Sequence, residues 1–572
     1  MLDDAEVIDQ VWDAIIVGTG IGGATLGYAL AHGGWRVLFC EKGQSQSGRP
    51  EFRGDYAESF TACNPTQAGT GPEALRRAGR YWEFIEDHSR QKVRKLSPFI
   101  GAGSGGSSAI FGMAMERFFP ADFEPRQNYA DVAEASLPDA WPISYDELTP
   151  FYEAAERLYR LRGGADPLRS GPVPTFLQPP PLTQQGQEMF QFLQRKGFNP
   201  YRVPMACEFL PGCSCCQGYL CARNCKNDSE RICLRPAVVR HAAQIFDECE
   251  IVRLEATRSE VREIIANRKG RLLRLRGRIV VLAAGALQSP RILLDSMSPL
   301  WPAGLANDSG LVGRNLMRHF NDLYAVFLPS TQHGSDNRRK EIALGDFYHH
   351  QGTKLGTVQS FGRLPPASLL AQSLENDLHE SPFHLLAPAL SLIQPALHRF
   401  LRHLVNRSYV LATIAEDLPY ADNRISLAAA SGPERASSLA LNYTIRSYDR
   451  ARIKLFRALM KDLLRTHRFM LIKQAENNQM LAHACGTCRF GMDPHSSVLD
   501  RNNRAHGVAN LYVVDSSFFP SSSGTNPSLT IAANALRVAA HLLGSDVGGL
   551  TNGESMDVPS SAAGDSGSAP GN

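Results

Sequence analysis

The sequence has little net charge and no uninterrupted apolar stretch of membrane length. Its 572 residues include 60 basic and 57 acidic side chains, so the formal net charge is only +3. This balance argues against nucleic acid or an anionic membrane surface as the main partner. Hydrophobic residues make up 43% and charged residues 20% of the chain. These fractions are typical of a soluble globular protein with a sizeable core.

The N-terminus lacks the features of an export signal. Residues 1–10 are acidic and contain no apolar core, and no twin-arginine leader is present. The most apolar window, residues 383–404, is interrupted by prolines, histidines and arginines. It therefore predicts a buried helix, or an amphipathic helix over a substrate entrance, and not a bilayer span. We expect a cytoplasmic protein, with any peripheral membrane association made through a partner.

Cysteine is concentrated in one segment. Six of the 12 cysteines lie between Cys207 and Cys225, and Cys233 follows. Thiolates bind zinc or iron–sulfur clusters, and thiols can also pair as disulfides or stay unmodified. The residues alone leave these readings open. One zinc set would use Cys213, Cys216, Cys221 and Cys225, and a C-x5-C-x3-C spacing joins Cys215, Cys221 and Cys225.

A glycine-rich loop near the N-terminus predicts dinucleotide binding. An apolar run ends at Gly18, and Gly18, Gly20 and Gly23 fit G-x-G-x-x-G before a predicted helix. Gly18 permits the tight turn, Gly20 lets the backbone approach a pyrophosphate, and Gly23 allows close helix–strand packing. Glu41 ends the next predicted strand, where a carboxylate can accept from ribose hydroxyls.

The order of predicted elements suggests an interrupted nucleotide domain. We predict an N-terminal arm at 1–12 and a nucleotide domain at 13–314, which contains the Cys-rich segment 207–233. Residues 315–480 are mainly a substrate domain, and 481–543 return to the first domain. Residues 544–572 are rich in Ser, Gly, Ala and Pro and are predicted to be disordered.

A histidine and an asparagine lie in Gly-rich turns near the C-terminus. His483 is a candidate general base, because its unperturbed pKa lies near neutrality. The amide of Asn526 donates without titrating and could hold a developing alkoxide. His319 has no comparable context and is interpreted as structural.

Several blocks in this order resemble the glucose–methanol–choline (GMC) flavoprotein oxidoreductases. They are the N-terminal loop with Glu41, the Gly/Ser loop 105–113, residues 281–290, residues 313–316, and the C-terminal block 483–542. Together they span residues 13–543. The chain departs from the family at Phe111, where family members often carry Asn.

The resemblance implies an α/β fold and FAD as cofactor. In this fold a Rossmann-like FAD-binding domain is interrupted by an α+β substrate domain with an antiparallel sheet. It further implies that Asp515 lies by the ribityl–pyrophosphate region and that the Asn526–Thr530 turn lies near the isoalloxazine. The cofactor-binding residues it suggests, beyond the N-terminal loop, are Gly105, Ser107, Ser108, Asp515, Pro527 and Thr530.

The implied activity is oxidation of a CH–OH group in a sugar, polyol or other alcohol. The base His483 would take the hydroxyl proton, and hydride would pass to flavin N5, with electrons going on to an external acceptor. One alternative is an oxidase that uses O2 on a sterol, long-chain alcohol or aminoglycoside-like intermediate. Another is a lyase with structural FAD, and a third is a non-catalytic electron-transfer subunit.

The Cys-rich segment resembles that of the catalytic subunits of bacterial FAD-dependent glucose, gluconate and fructose dehydrogenases. This resemblance implies a 3Fe-4S cluster on Cys215, Cys221 and Cys225. Such a cluster would pass electrons singly to a protein or quinone acceptor, which favours a dehydrogenase over an oxidase. Downstream, Lys226 and its neighbours depart from the Pro-containing sequence expected after the third ligand.

Overall fold

A computed structural model gives the fold. It describes residues 4–45, 52–61, 71–170, 174–330, 339–379, 394–428, 434–477 and 481–546. The predicted disordered tail lies outside these residues from position 547 onward, as do residues 383–393 of the apolar window.

Helices and strands are distributed along the whole of the described chain. The α-helices are α1 (Asp4–Ile8), α2 (Ile21–His32), α3 (Ala57–Thr61), α4 (Pro72–Arg77), α5 (Tyr145–Leu158), α6 (Gln184–Arg195), α7 (Arg235–Arg240), α8 (Gly285–Asp295), α9 (Ala367–His379), α10 (Gln394–Arg407), α11 (Ser447–Leu464) and α12 (Ser528–Leu543). The strands are β1 (Val11–Val17), β2 (Val37–Cys40), β3 (Ile85–Asp87), β4 (Arg94–Leu96), β5 (Tyr201–Arg202), β6 (Gln244–Phe246), β7 (Cys249–Ala256), β8 (Val261–Arg268), β9 (Arg271–Leu282), β10 (Leu323–Phe327), β11 (Ile342–Leu344), β12 (His349–His350), β13 (Thr353–Lys354), β14 (Gly356–Ser360), β15 (Tyr409–Ala415), β16 (Arg424–Leu427), β17 (Leu439–Asn442), β18 (Arg468–Lys473) and β19 (Leu511–Val513).

A mixed sheet forms the nucleotide-binding half. Strands β6, β2, β1, β9 and β19 are parallel neighbours in that order, and β9 continues into an antiparallel meander with β8 and β7. The central strand β1 is buried from Ala14 to Val17, as expected for a parallel strand covered on both faces. Helices α2 and α12 pack together against this sheet. An open α/β sheet binds its ligand in the crevice outside the carboxyl ends of its parallel strands.

A second, antiparallel sheet has the strand order β18-β10-β15-β14-β11-β5. It has a core of its own, built from strand residues such as Tyr324 and Leu411 and from α11 residues such as Phe456 and Met460. Strand β5, at Tyr201–Arg202, reaches this sheet from the part of the chain assigned to the nucleotide domain. Strands β16, β17, β3 and β4 form a smaller sheet that joins segments from both halves. The domain boundaries stay a prediction.

Strand β1, helix α2 and strand β2 confirm the order of elements predicted around the glycine loop. Ser144 caps α5 in a capping box with Glu147, whose backbone N–H it accepts at 3.1 Å. Helix α10 is amphipathic, with Leu401 and Leu404 buried and Arg402 exposed between them. Among the described residues, no helix has both the length and the apolar character to cross a membrane.

Candidate active site

One cavity of about 570 Å³ connects the glycine loop to the C-terminal turns. It runs between the two sheets, and predicted site residues from distant parts of the chain line it. These are Gly18, Gly20, Glu41, Ser107, Ser108, His483, Asp515, Asn526 and Pro527. Three other predicted residues, Gly23, Gly105 and Thr530, support its walls without lining it.

The glycine loop leaves room for a ligand at one position. A Cβ at Gly18 would meet the Ala283 carbonyl oxygen at 2.4 Å, and one at Gly23 would meet the Gly18 carbonyl oxygen at 2.2 Å. A Cβ at Gly20 would meet no atom within 4 Å, because Gly20 faces the cavity. Gly18 and Gly23 therefore serve packing, whereas Gly20 keeps open a cradle at the N-terminus of α2, which suits a pyrophosphate.

Glu41 organises the loops around this cradle. One carboxylate oxygen accepts from the backbone N–H of Thr19 at 3.1 Å and its hydroxyl at 2.7 Å. The other accepts from the backbone N–H groups of Gly43 at 3.0 Å and Gly103 at 3.1 Å. Burial raises the pKa of Glu41, and these bonds oppose the shift. A ribose hydroxyl bound here would donate to a Glu41 carboxylate oxygen that already accepts hydrogen bonds from the protein.

Asp515 plays a comparable part in the C-terminal block, where its backbone lies beside Gly22 of the same glycine loop. Its Oδ2 accepts from the Gly285 backbone N–H at 2.9 Å and the Ser289 hydroxyl at 2.5 Å, and its Oδ1 caps the turn at Ser517. Burial raises the pKa of Asp515, and these hydrogen bonds oppose the shift. Gly285 begins α8 with φ +84°, a conformation that favours glycine. The carboxylate thus joins the C-terminal block to the start of α8.

Hydrogen bonds within the protein stabilise the Gly/Ser loop and the last helix. The Ser108 hydroxyl donates to the Gly105 carbonyl at 2.6 Å, and Ser107 Oγ accepts from the Gly101 backbone N–H at 3.1 Å. Thr530 Oγ1 lies 2.8 Å from the Tyr152 hydroxyl, so it ties α12 to α5.

His483 forms a histidine pair with His319. Their Nδ1 atoms lie 2.8 Å apart, and His319 Nε2 lies 3.1 Å from each of the Ser522 and Ser523 carbonyl oxygens. Because carbonyls only accept, Nε2 of His319 carries its proton and Nδ1 accepts. Nδ1 of His483 must therefore donate, which leaves its Nε2 with a free lone pair. No sequence motif indicates this contact, beyond the position of His319 after residues 313–316.

The environment keeps His483 neutral. Burial, then the charges of His319 and Lys340, hold its pKa well below the usual value. Burial also lowers the pKa of His319. Near neutral pH, His483 is consequently an unprotonated imidazole that can accept a proton at Nε2.

Asn526 is oriented by a chain of hydrogen bonds. Glu116 accepts from the Gln359 side-chain amide, and the same amide nitrogen donates to Asn526 Oδ1 at 2.6 Å. Tyr201 and Thr525 hydroxyls also donate to Glu116. With Oδ1 occupied, the amide nitrogen of Asn526 is the group left to donate within the cavity. Neither Glu116 nor Gln359 belongs to a motif, so sequence reasoning missed both.

Lys340 adds a buried cation to the wall. Burial lowers its pKa to about 8, and the charge of Glu116 opposes this shift. Its Nζ lies 6.0 Å from the centre of the Phe361 ring, and a Cβ at Gly112 would come within 3.0 Å of it. No sequence pattern marks this lysine.

None of the six clustered cysteines lines the cavity, although they pack with the lining residues Tyr56 and Met113. Cys207 and Cys213 Sγ are 3.7 Å apart, and Cys213 Sγ also accepts from the Cys215 backbone N–H at 3.4 Å. Cys221 Sγ accepts from the Cys225 backbone N–H at 3.3 Å. The hydrogen bonds of Cys213, first that with Cys207, lower the pKa of its thiol. Among the described residues, no group of three or more His, Cys, Asp or Glu side chains has an arrangement that could hold a metal ion.

Known proteins match the chain along most of its length. The GMC oxidoreductase family is matched in two parts, its N-terminal model at residues 12–321 and its C-terminal model at residues 419–535. The 6'''-hydroxyparomomycin C oxidase of Streptomyces lividus is 29% identical over 93% of this chain and 92% of its own. The fructose dehydrogenase large subunit of Gluconobacter japonicus is 23% identical over 93% and 97%.

A solved structure shares the fold. Pyridoxine 4-oxidase from Mesorbium loti superposes with a TM-score of 0.59 at 20% identity, covering 94% of this chain and 100% of that one. The predicted α/β fold, with its nucleotide domain and antiparallel substrate sheet, is confirmed. The resemblance drawn from five sequence blocks is confirmed as well: the chain belongs to the GMC oxidoreductase family, whose members are flavoproteins that bind FAD.

Proposed function

We propose that this enzyme oxidises a CH–OH group to a carbonyl, with His483 as the base and Asn526 as the donor to the substrate oxygen. The observation that carries the proposal is the hydrogen bonding of the pair. His319 leaves Nε2 of His483 free to accept, and Gln359 leaves the amide nitrogen of Asn526 free to donate. Base and donor line the same cavity.

The proposed chemistry moves one proton and one hydride. Nε2 of His483 takes the hydroxyl proton, while the Asn526 amide stabilises the negative charge that grows on oxygen. FAD, when bound, supplies the acceptor for the hydride that leaves the carbinol carbon. The residues that would hold FAD are those around the cradle, with Gly20 against the pyrophosphate and Glu41 and Asp515 fixing the loops beside it.

The test is anaerobic flavin reduction in a His483→Ala variant. We expect the rate to fall on the order of 10²–10⁴-fold while FAD stays bound, because a positioned base contributes about that factor. His495→Ala is the matched control, since His495 is exposed. Reduction at the native rate in His483→Ala would refute the base assignment.

We propose a dehydrogenase that passes electrons to a protein or quinone acceptor, with an O2-using oxidase as the second candidate. Oxidases and dehydrogenases both occur among its relatives. Turnover with an artificial acceptor but without hydrogen peroxide formation would favour the first. A lyase with structural FAD would never bleach its flavin under anaerobic conditions with any alcohol.

The iron–sulfur cluster on Cys215, Cys221 and Cys225 stays a prediction of the sequence. The contacts of the Cys215 and Cys225 backbone N–H groups with neighbouring thiols support it, and the lack of a metal-ready arrangement among the described residues speaks against it. Paramagnetic resonance and iron analysis of the purified protein test it. Iron-free protein with full activity would refute it. The cytoplasmic location and the partner also stay predictions.

A further inference from the structure

The two ends of the cavity differ in charge. Its three acidic lining residues, Glu41, Glu250 and Asp515, all belong to the nucleotide-binding sheet and the loops beside it. Among the described lining residues of the substrate sheet and its approaches, none is acidic. The charged side chains there are all cationic, namely Arg318, Lys340 and Lys473.

A cross-strand row leads away from the catalytic pair. Gln359, which orients Asn526, pairs with Ala412, and Ala412 pairs with Leu323 on its other side. Leu323 in turn pairs with Lys473 at the sheet edge, and all four residues line the cavity. Strands lie about 4.8 Å apart, so these three steps span about 14 Å. We call the sheet surface at Ala412 and Leu323, between the catalytic end and the sheet edge, the floor of the cavity. It is apolar.

Two helices contribute apolar side chains to the cavity wall beside this floor. Helix α9 contributes leucines, and α10 contributes Leu401 and Leu404, which are only 5% and 1% exposed. These side chains therefore face inward and not toward solvent. The α9 leucines include Leu369 and Leu370, and further apolar lining comes from Ile414 and Ile472.

We propose that the substrate is an alcohol with an extended hydrocarbon body, bound with its hydroxyl at His483 and Asn526 and its chain along Ala412 and Leu323. This inference rests on the proposed function. Sugar hydroxyls would lose water along this floor without gaining partners. The ammonium groups of an aminoglycoside would meet cations where carboxylates are needed. The substrate class thus differs from that in the name of the Streptomyces lividus relative.

The experiment compares alcohols by anaerobic reduction of the FAD-bound enzyme. The probes are butanol, octanol and dodecanol, with fructose and paromamine as polar competitors. We expect the second-order rate constant to rise about two- to fourfold for each added methylene, which follows from about 0.8 kcal/mol per buried CH2. Faster reduction by fructose or paromamine than by every alkanol would overturn the inference and leave the proposed oxidation standing.

An Ala412→Phe variant tests the location. Its larger side chain would block the row between Gln359 and Leu323, so the ratio of the dodecanol rate to the butanol rate should fall toward one. If Ala412→Phe fails to retain FAD, Leu404→Gln is the substitute test. It adds a polar group to the cavity wall and should therefore weaken the dependence of the rate on chain length. Leu272→Gln is the control, because Leu272 is 43% exposed on another sheet. An unchanged chain-length dependence in both cavity variants would overturn the proposed site.

Binding separates this inference from the proposed function. If no alcohol reduces the flavin, alkanol binding is measured by perturbation of the flavin spectrum. Dodecanol that binds more tightly than butanol, with the difference lost in Ala412→Phe, would support the apolar site and refute the oxidation. Equal binding of both alkanols would overturn the apolar site.

Discussion

At the scale of single residues, the histidine pair is the feature with most consequence for activity. The Nδ1–Nδ1 contact and the two carbonyls behind His319 assign both tautomers. His319 is thus a positioning residue for His483. Its effect on the proposed reaction is indirect, because it sets which nitrogen of His483 can accept a proton.

Replacing His319 with Phe should slow flavin reduction about tenfold to a hundredfold while FAD stays bound, because the acceptor for His483 is lost. His319→Asn keeps an oxygen near the Nδ1 position and should recover part of the rate. Rapid mixing of each variant with a reducing alcohol measures this. Equal rates in the Phe and Asn variants would show that the tautomer contact contributes nothing.

Lys340 should control the acid limb of the pH profile. Its positive charge helps to hold the pKa of His483 low, so its removal favours protonation of the imidazole. In Lys340→Met the pKa of His483 should rise, and activity should begin to fall at a higher pH than in the native enzyme. The pH dependence of flavin reduction measures this. Lys269→Met is the control, since the Lys269 side chain is 62% exposed. A shift to lower pH would contradict the assigned repulsion.

At the scale of elements, the N-terminal strand–turn–helix contains one glycine that serves cofactor binding and another that serves packing. Gly20 has φ −65°, which alanine adopts freely, and a Cβ there points into open space. A Cβ at Gly23 would collide with the Gly18 carbonyl oxygen.

Gly20→Ala should therefore fold normally but lose most of its FAD, whereas Gly23→Ala should lower stability outright. Flavin content after purification and thermal unfolding of the FAD-free forms distinguish the two effects. The expectation fails if Gly20→Ala retains full FAD or if the two variants unfold alike.

Secondary structure was largely predictable at this scale. Strand β1 and helix α2 follow from an apolar run and the glycine pattern that ends it, both of which are local signals. Strand β5 was missed, because two residues carry no periodic signal and only pairing with β11 makes them a strand.

At the scale of the whole molecule, a buried charge group joins distant segments. The Lys354 ammonium lies 2.5 Å from carboxylate oxygens of both Asp122 and Glu416, and all three side chains are 0% exposed. Asp122 lies about 200 residues before β10, whereas Lys354 lies just before β14 and Glu416 directly follows β15. The charge of Lys354 and hydrogen bonds hold the pKa of Asp122 below its usual value despite burial.

Lys354→Met should destabilise the protein by about 3–5 kcal/mol, because it leaves two carboxylates buried without their cation. Arg258→Ala, which breaks the exposed pair with Asp308, should cost less than about 1 kcal/mol. Urea unfolding measures both. The low folded-state pKa of Asp122 gives stability that is present above its unfolded value and is lost as pH falls. A Lys354→Met loss no larger than that of Arg258→Ala would contradict this account.

The sequence by itself determined the family, the FAD-binding loop and the residues that we propose as base and donor. Each of these is carried by a short segment whose glycines, histidine or asparagine are contiguous or nearly so. Only the tertiary structure decided how His483 and Asn526 are oriented, since His319, Gln359 and Glu116 come from separate elements. It also decided that the substrate end is apolar and cationic, because that property arises from strand register and from helices α9 and α10 packing over it.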